Sequence, residues 1–134
     1  MKIAIIGANG QLGNDLVKSL DGEIISLTHQ EIEVSDEHSV LDMFKKFKPD
    51  VLINTSAFHN VPECEKNDLL AFKVNGLGPK FLAEQCASFG ATLVHISTDY
   101  VFDGKSNRPY GEDDLPNPLN VYGITKIAGE YYVR

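Results

Sequence analysis

Three residues of the chain could together reduce a carbonyl group, namely Thr98, Tyr122 and Lys126. Tyr122 and Lys126 are separated by four positions in the stretch YGITK, so a helix there would place both side chains on one face. Because a nearby ammonium favours an ionised phenol, we expect Lys126 to lower the pKa of Tyr122. The phenol would then give a proton to a carbonyl oxygen while hydride arrives at the carbon.

Thr98 lies in the stretch HISTDYVFDG, where an apolar run is followed by hydroxyl groups and a carboxylate. Ligands of parallel α/β sheets bind outside the carboxyl ends of the strands, so we expect Thr98 to end a strand and to hydrogen-bond the same carbonyl oxygen. Tyr122 and Lys126 alone could equally form an ordinary pair on a helix surface, since this spacing is common. Their combination with Thr98 and with the glycine loop described next favours the chemical interpretation.

A glycine-rich loop, GANGQLG, carries Gly7, Gly10 and Gly13 between the first predicted strand and the first predicted helix. Gly7 would permit the tight turn, Gly10 would let the backbone approach a phosphate, and Gly13 would let the helix pack close to the strand. The amides at the start of the helix would then face a pyrophosphate. A plain structural turn is the alternative, but the strand before and the helix after the loop favour dinucleotide binding.

Strand and helix patterns alternate along the chain and would position these residues. We predict an α/β fold, a Rossmann-like doubly wound parallel sheet in a three-layer α/β/α arrangement. Residues 1–134 would form one NAD(P)-binding domain, truncated after the fourth strand and its following helix, so that later strands and the substrate-binding half are absent. An open edge of such a sheet favours self-association. The predicted strands cover residues 2–7, 23–28, 50–57 and 91–97, and the predicted helices cover 11–20, 36–48, about 68–89 with an interruption at Gly76, Gly78 and Pro79, and 119–134.

The composition excludes several classes of function. With a net charge of -7, the chain offers no basic surface for nucleic acid or an anionic membrane. No apolar run is long enough for a membrane span, and the start MKIAIIGANG does not fit a signal peptide. Cys64 and Cys86 have no metal-ligand spacing and are expected to be buried thiols in a reducing, cytoplasmic compartment.

The segment after the second strand bears on the choice of cofactor. Many NAD-binding proteins carry an acid there that holds the ribose 2′-hydroxyl, whereas this chain has Thr28 and His29. Without an acid, the 2′-phosphate of NADPH would not be repelled, so the site permits NADPH. No arginine stands nearby that would bind the 2′-phosphate and make the cleft specific for NADPH. The sequence therefore favours NADPH, with NADH as the alternative.

The motifs GANGQLG, PDVLINTSAF, LVHISTDYVFDG and PLNVYGITKIAGE, in this order, resemble the dTDP-4-dehydrorhamnose reductases of the extended short-chain dehydrogenase/reductase superfamily. The resemblance covers essentially the whole chain. It implies reduction of the 4-keto group of dTDP-4-dehydro-6-deoxy-L-mannose to dTDP-L-rhamnose, a polysaccharide precursor, with NADPH or NADH. It also implies homodimers, assisted by Mg²⁺ in members of the family, although no metal site is expected within this chain.

The resemblance also implies roles for individual residues. Thr98, Tyr122 and Lys126 would be catalytic, with Thr98, Asp99 and Tyr122 touching substrate. Asn75 matches an asparagine tied to structure or to a proton-relay water. The cofactor-binding set would be Gly7, Gly10, Gln11, Leu12, Gly13, Glu33, Val34, Ala57, Phe58, His59 and Lys126.

Some residues depart from the family pattern. Thr55 and Ser56 replace alanines after the third strand and would change the packing of the groove, Thr28 replaces an acid, and Glu33 replaces an aspartate. Members of the family are also considerably longer, so this chain is expected to bind cofactor and to be poorly active.

Two further functions remain open at this point. A nucleotide-sugar epimerase or dehydratase would retain NAD tightly, and the missing acid after the second strand counts against it. A non-catalytic regulatory subunit resembling the β subunit of methionine adenosyltransferase would use the same fold to bind a partner. His29, His59 and His95 have no compact metal-site spacing, and the acids of GEDDLP (111–116) are expected to be solvated.

Overall fold

Four parallel strands form the centre of the computed structural model, which describes residues 1–134. The strands are β1 (Lys2–Ile6), β2 (Glu23–Leu27), β3 (Val51–Asn54) and β4 (Thr92–His95), and they lie in the order β2-β1-β3-β4. All four lie within the predicted segments. The third strand ends at Asn54 rather than at residue 57, because the chain beyond it leaves the sheet and enters an irregular segment.

The helices follow the predicted alternation with one added feature. They are α1 (Gln11–Ser19), α2 (Glu37–Phe47), α3 (Val61–Lys66), α4 (Asp68–Phe72), α5 (Gly78–Phe89) and α6 (Val121–Val133). A π-helical turn, Lys73–Leu77, joins α4 to α5, and Pro79 stands in the first turn of α5. The interruption expected near Gly76, Gly78 and Pro79 is therefore present as a widened turn rather than a break.

Local signals account for the boundaries of α2. Asp36 is the N-cap, and its carboxylate accepts hydrogen bonds from the backbone amides of His38 and Ser39. The helix ends at Phe47, and Lys48 adopts the left-handed conformation with φ of 49° directly before Pro49.

The largest apolar core lies between one face of the sheet and the helices α2 and α5. Ala4, Ile6 and Leu52 from the strands pack there against Phe44 of α2 and Leu82 of α5. Since side chains alternate along a strand, Ile3 and Ile5 point to the opposite face, which α1 contacts. Helices on both faces give the predicted three-layer arrangement.

The helix α1 is only partly buried. Leu16 and Leu20 are partly buried, whereas Leu12 is 45% exposed. None of the helices combines the length and the apolar character needed to cross a membrane.

Candidate functional site

A cleft of about 340 Å³ lies at the carboxyl ends of the strands. This is the edge at which parallel α/β sheets bind their ligands. Seven of the residues proposed from sequence line it, and they come from four separate parts of the chain. These are Gly7, Gly10, Val34, Ala57, His59, Tyr122 and Lys126, and the remaining lining residues are Ile6, Asn9, Thr28, His29, Ile32, Thr55, Ser56, Val74, Ile96 and Ser97.

The glycine loop forms one wall of the cleft through unusually close backbone packing. Gly7 has φ of 80°, which an L side chain rarely adopts, and its amide donates to the carbonyl of Leu27. A Cβ atom on Gly13 would collide with the carbonyl oxygen of Gly7, so the first turn of α1 rests directly on the loop. The close approach predicted for Gly13 is therefore present, with the loop rather than the strand as the contacted element.

The start of α1 offers the donors that a pyrophosphate requires. Its N-cap, Gly10, has no side chain that could occupy the terminus, and there is no acidic residue in the first turn. The first backbone bond of the helix runs from the amide of Asn14 to the carbonyl of Gly10, which leaves the amides of Gln11, Leu12 and Gly13 without partners. These amides and the positive end of the helix dipole fit the phosphates of a dinucleotide.

Thr55, one of the departures from the family pattern, holds the glycine loop against β3. Its hydroxyl donates to the carbonyl of Ile6 at 2.7 Å and lies 3.4 Å from the carbonyl of Gly7. A Cβ atom on Gly7 would come within 2.7 Å of this hydroxyl. The threonine therefore changes the packing of the cleft, as expected, by tying two of its walls together.

A polar chain that sequence reasoning missed runs behind the same wall. The side-chain Oδ1 of Asn54 accepts hydrogen bonds from the amide (3.1 Å) and hydroxyl (2.6 Å) of Ser56, and the side-chain Nδ2 lies 3.2 Å from His95 Nδ1. Since Asn54 acts as donor to Nδ1, the proton of His95 resides on Nε2, which is buried without a partner. Burial, with Lys126 nearby, lowers the pKa of His95 to about 4.

Lys126 is buried rather than part of a solvated helix surface. The residue is only 2% exposed, and its Nζ donates to the carbonyl oxygen of Ile96 at 2.6 Å. Burial lowers the pKa of Lys126 to about 8, while the carboxylate of Glu130 acts in the opposite direction. The alternative of a surface pair between Tyr122 and Lys126 is therefore wrong.

Tyr122 lies at the mouth of the cleft beside Thr98. Burial raises the pKa of Tyr122, and hydrogen bonding with Thr98 opposes this rise. The expected lowering of this pKa by Lys126 is not present, because the ammonium is directed at the carbonyl of Ile96 instead. The ring of Tyr100 packs edge-on against that of Tyr122 at 5.6 Å between centroids, which restricts its orientation.

Thr98 lies three residues beyond the end of β4 at His95, rather than at the end of the strand as expected. It is the N-cap of a short 3₁₀ turn, Asp99–Val101, and its hydroxyl accepts from the amide of Tyr100 and donates to the carboxylate of Asp99, both at 3.3 Å. Neither Thr98 nor Asp99 lines the cleft itself. Both stand at its rim, near the phenol of Tyr122.

Other proposed residues contribute backbone or support instead of lining side chains. Phe58 is bound through its amide and carbonyl to the side chain of Asn75, whose Nδ2 also reaches the Thr125 hydroxyl at 3.1 Å. This favours the structural role considered for Asn75. The residues proposed for the cofactor whose side chains do not line the cleft are Gln11, Leu12, Gly13, Glu33 and Phe58.

The end of β2 carries a carboxylate that the sequence pattern did not indicate. Glu31 Oε2 accepts hydrogen bonds from the amide (2.8 Å) and the hydroxyl (2.7 Å) of Thr28. The His29 ring lies 3.5 Å from the carboxylate of Glu33, which also accepts from Ser35. Glu31 therefore lies behind Thr28 and outside the residues that line the cleft, which include no acid at this position.

Cys64 and Cys86 are both free and buried, as expected, and burial raises the pKa of each thiol. No group of three or more His, Cys, Asp or Glu side chains converges in a way that could hold a metal ion.

The parallel sheet and the glycine loop at its carboxyl edge define a Rossmann-like α/β protein. Comparison with known proteins narrows this class. The chain belongs to the family described as RmlD substrate binding domain, whose model matches residues 1–134.

Three relatives illustrate how much of this chain, and how much of each relative, the match covers. The spore coat polysaccharide biosynthesis protein SpsK of Bacillus subtilis is 41% identical over 99% of this chain and 48% of its own length. The crystal structure of a dTDP-4-dehydrorhamnose reductase from Clostridium acetobutylicum is 46% identical with a TM-score of 0.96, covering 99% of this chain and 49% of that one. The Bacillus anthracis dTDP-4-dehydrorhamnose reductase, solved in complex with NADP, is 35% identical with a TM-score of 0.95, covering 98% and 48%.

The chain thus spans about half the length of the relatives that it matches. The resemblance inferred from the sequence motifs and the predicted fold class are both confirmed.

Proposed function

We propose that residues 1–134 form the NAD(P)-binding, catalytic part of a nucleotide-sugar ketoreductase. The reaction is the reduction of the 4-keto group of dTDP-4-dehydro-6-deoxy-L-mannose to dTDP-L-rhamnose. The observation that carries this proposal is that Tyr122 and Lys126 open into the same cleft as the glycine loop. A proton donor and a dinucleotide cradle in one cleft are what a carbonyl reductase needs.

Within this proposal, each residue has a specific task. A bound reduced nicotinamide supplies the hydride. Tyr122 gives the proton to the carbonyl oxygen from its phenol, and Thr98, which neighbours that phenol, orients the same oxygen. Lys126 would hold the nicotinamide ribose with its buried ammonium, which in the structure donates to the carbonyl of Ile96. Asp99 touches the sugar at the rim.

The cofactor is NADPH, with NADH as the alternative. The free amides of Gln11, Leu12 and Gly13 receive the pyrophosphate, Val34 neighbours the adenine, and Ala57 and His59 line the central groove. The NADP complex of the Bacillus anthracis relative supports this choice. Glu33 contributes through its hydrogen bonds to the segment that follows β2.

The protein works in the cytoplasm and pairs with a second copy of itself. Two free, buried thiols support a reducing compartment. The resemblance to the reductase family, which implies homodimers, supports the pairing with a second copy.

The test is hydride transfer from NADPH to a dTDP-4-keto-6-deoxysugar, followed by nicotinamide absorbance, with the wild-type chain and Tyr122→Phe. We expect slow turnover by the wild type, because the chain spans about half the length of its relatives, and a loss of about 10²- to 10⁴-fold from that rate in Tyr122→Phe with cofactor affinity unchanged. Tyr131→Phe, an exposed tyrosine on the same helix, serves as the matched control. A wild-type chain that binds cofactor without turnover, or a fully active Tyr122→Phe variant, would contradict the proposal.

A further inference from the structure

Two successive residues after β4 are held by two residues of α6 that lie one turn apart. The carbonyl of Ile96 accepts the hydrogen bond of Lys126 Nζ at 2.6 Å, and the hydroxyl of Ser97 donates to Oε1 of Glu130 at 2.5 Å. Ile96 and Ser97 both line the cleft. Because residues four positions apart share one face of a helix, Lys126 and Glu130 reach the same segment side by side. The carboxylate of Glu130 is therefore bound to a residue of the cleft wall.

The side chain of Glu130 is held in a sheltered position. It is only 20% exposed, and its Oε2 lies 3.7 Å from the guanidinium of Arg134, whose side chain is 70% exposed. Its other oxygen is bound to Ser97. The carboxylate is therefore fixed close to the cleft, and its low exposure weakens the screening of its charge by solvent.

Glu130 is the anionic group that acts on the Lys126 ammonium. Burial lowers the pKa of Lys126, and Glu130 is the one charged side chain that raises it. Since the partner of Nζ is the carbonyl of Ile96, Glu130 acts through its charge rather than through a hydrogen bond to Lys126. The π-helical turn and α5 contribute Asn75 and Pro79 to the packing against α6, and neither of these residues titrates.

The other titratable side chains around the site do not take the place of Glu130. His95 faces Lys126 from the end of β4, but with a pKa of about 4 its imidazole is neutral at neutral and alkaline pH. Cys64 of α3 and Asp99 of the 3₁₀ turn act on the pKa of Tyr122 rather than on that of Lys126.

We propose that Glu130 is a positioning residue that keeps the Lys126 ammonium charged in the cleft and so maintains dinucleotide binding at alkaline pH. The inference rests on the proposed function, in which this ammonium holds the nicotinamide ribose. An ammonium offers three donors and a positive charge to the ribose and phosphates, whereas a neutral amine has no charge. Without the carboxylate, Lys126 should therefore lose its proton, and the cleft its affinity, at a lower pH.

The variant Glu130→Gln removes the charge and keeps the shape of the side chain. The amide oxygen of glutamine can accept the Ser97 hydroxyl in place of Oε1. The matched control is Glu84→Gln, which removes a carboxylate that lies 3.4 Å from Lys80 in the same i,i+4 arrangement on α5, outside the cleft.

The first measurement follows the Lys126 side chain in the absence of cofactor. Carbon NMR of the lysine ε-carbons gives its pKa, with Lys126→Met to identify the signal. In Glu130→Gln we expect the pKa of Lys126 to fall by about half a unit to one unit, whereas Glu84→Gln should leave it unchanged.

The second measurement is titration of the same proteins with NADPH at two pH values, following nicotinamide fluorescence. At about pH 6.5 Lys126 is charged in every protein, so Glu130→Gln should bind NADPH nearly as tightly as the wild type. At about pH 9 it should bind roughly three- to tenfold less tightly, because a smaller fraction of Lys126 is then charged. A purely structural role of Glu130 would lower the affinity equally at both pH values.

The outcomes separate the two proposals. An unchanged titration of Lys126 in Glu130→Gln, or an equal loss of NADPH affinity at both pH values, would overturn the role of Glu130 and leave the proposed function standing. Failure of the wild type to bind NADPH at either pH would overturn the proposed function and, with it, the role of Glu130 in binding.

Discussion

Burial of the Lys126 ammonium lowers the free energy of unfolding of the chain, but it also places this group in the cleft. An ammonium that is 2% exposed and has one carbonyl partner is held by the fold in an environment that disfavours its charge. Such a group is available to exchange its protein partner for ligand hydroxyls. Perturbed titratable groups in a cleft are characteristic of functional sites.

The cost of burying Lys126 should appear in the pH dependence of stability. Its pKa is about 8 in the folded chain and 10.5 when exposed, so the unfolded chain binds more protons between these values and stability rises with pH. The free energy of unfolding of the wild type minus that of Lys126→Met should rise by about 2 kcal/mol from pH 7 to 9.5. Urea unfolding gives the free energy of unfolding of the wild type and of Lys126→Met. Because both proteins contain Cys86, its titration does not contribute to the difference between the two values. A flat difference would show that the ammonium is not desolvated.

Burial of the His95 imidazole should make the free energy of unfolding fall at acidic pH. Its pKa is about 4 when folded against 6.5 when exposed, so the unfolded chain takes up the proton first and stability is lost as the pH falls below 6.5. Relative to His95→Gln, the wild type should lose about 2 kcal/mol of unfolding free energy between pH 7 and 5. His29→Gln is the control, since the His29 side chain is 80% exposed. Equal acid sensitivity of the wild type and His95→Gln would contradict the buried, neutral imidazole.

At the scale of elements, the position of α6 depends on glycines that allow close backbone contact. A Cβ atom on Gly129 would overlap the carbonyl oxygen of Asn75 in the π-helical turn, and one on Gly123 would overlap that of Tyr100. The helix thereby rests against the two segments that place Phe58 and Thr98. This packing sets where Tyr122 and Lys126 enter the cleft.

Replacing Gly129 should therefore disturb the site from a distance. Gly129→Ala is expected to lower the free energy of unfolding by about 1–3 kcal/mol, because either α6 or the π-helical turn must move. Gly111→Ala is the control, since the nearest atom to its Cβ would be 4.0 Å away. Chemical denaturation of both variants provides the comparison, and an unchanged stability of Gly129→Ala would show that α6 can shift freely.

The sequence predicted those parts of the site whose geometry follows from regular structure. Helical spacing places Tyr122 and Lys126 together, and the order of strand, glycines and helix places Gly7, Gly10 and Gly13. It did not predict the positions of irregular turns. Glu31 returns to Thr28 through a turn that has no periodicity, and Asn54 meets His95 only through the register of β3 and β4.

The direction in which the Lys126 side chain points is a further feature that residue spacing alone could not predict. The pattern fixed the face of α6 on which it lies, but its hydrogen bond to Ile96 depends on how close the helix comes to the end of β4. That distance is set by Gly123 and Gly129, whose role is visible only once the packing partners are known.

At the scale of the whole molecule, the sheet has two unlike edges. The outer strand β2 carries the exposed residues Glu23 and Ser26, whereas the outer strand β4 exposes the apolar side chain of Val94 (41%) and is followed by Ile96 (36% exposed). An open strand with apolar side chains favours pairing with another chain, and charged residues disfavour it.

Association should therefore depend on the β4 edge. Sedimentation velocity over a range of concentrations is expected to show self-association of the wild type and less of it for Val94→Lys. Ser88→Lys, which adds the same charge on the exposed face of α5, should behave like the wild type. A wild type that stays monomeric at every concentration, or a Val94→Lys variant that associates equally, would contradict a contact through this edge.

The most direct test of the central claim is whether the cleft at the glycine loop binds a nicotinamide dinucleotide. Gly10 has extended backbone angles, φ of -76° and ψ of 170°, that a larger residue can adopt, so Gly10→Trp should fill the cleft while the chain still folds, as circular dichroism would verify. We predict that nicotinamide fluorescence will report saturable binding of NADPH by the wild type and none by the folded Gly10→Trp variant. Absence of binding by the wild type, or equal binding by the blocked variant, would contradict the account.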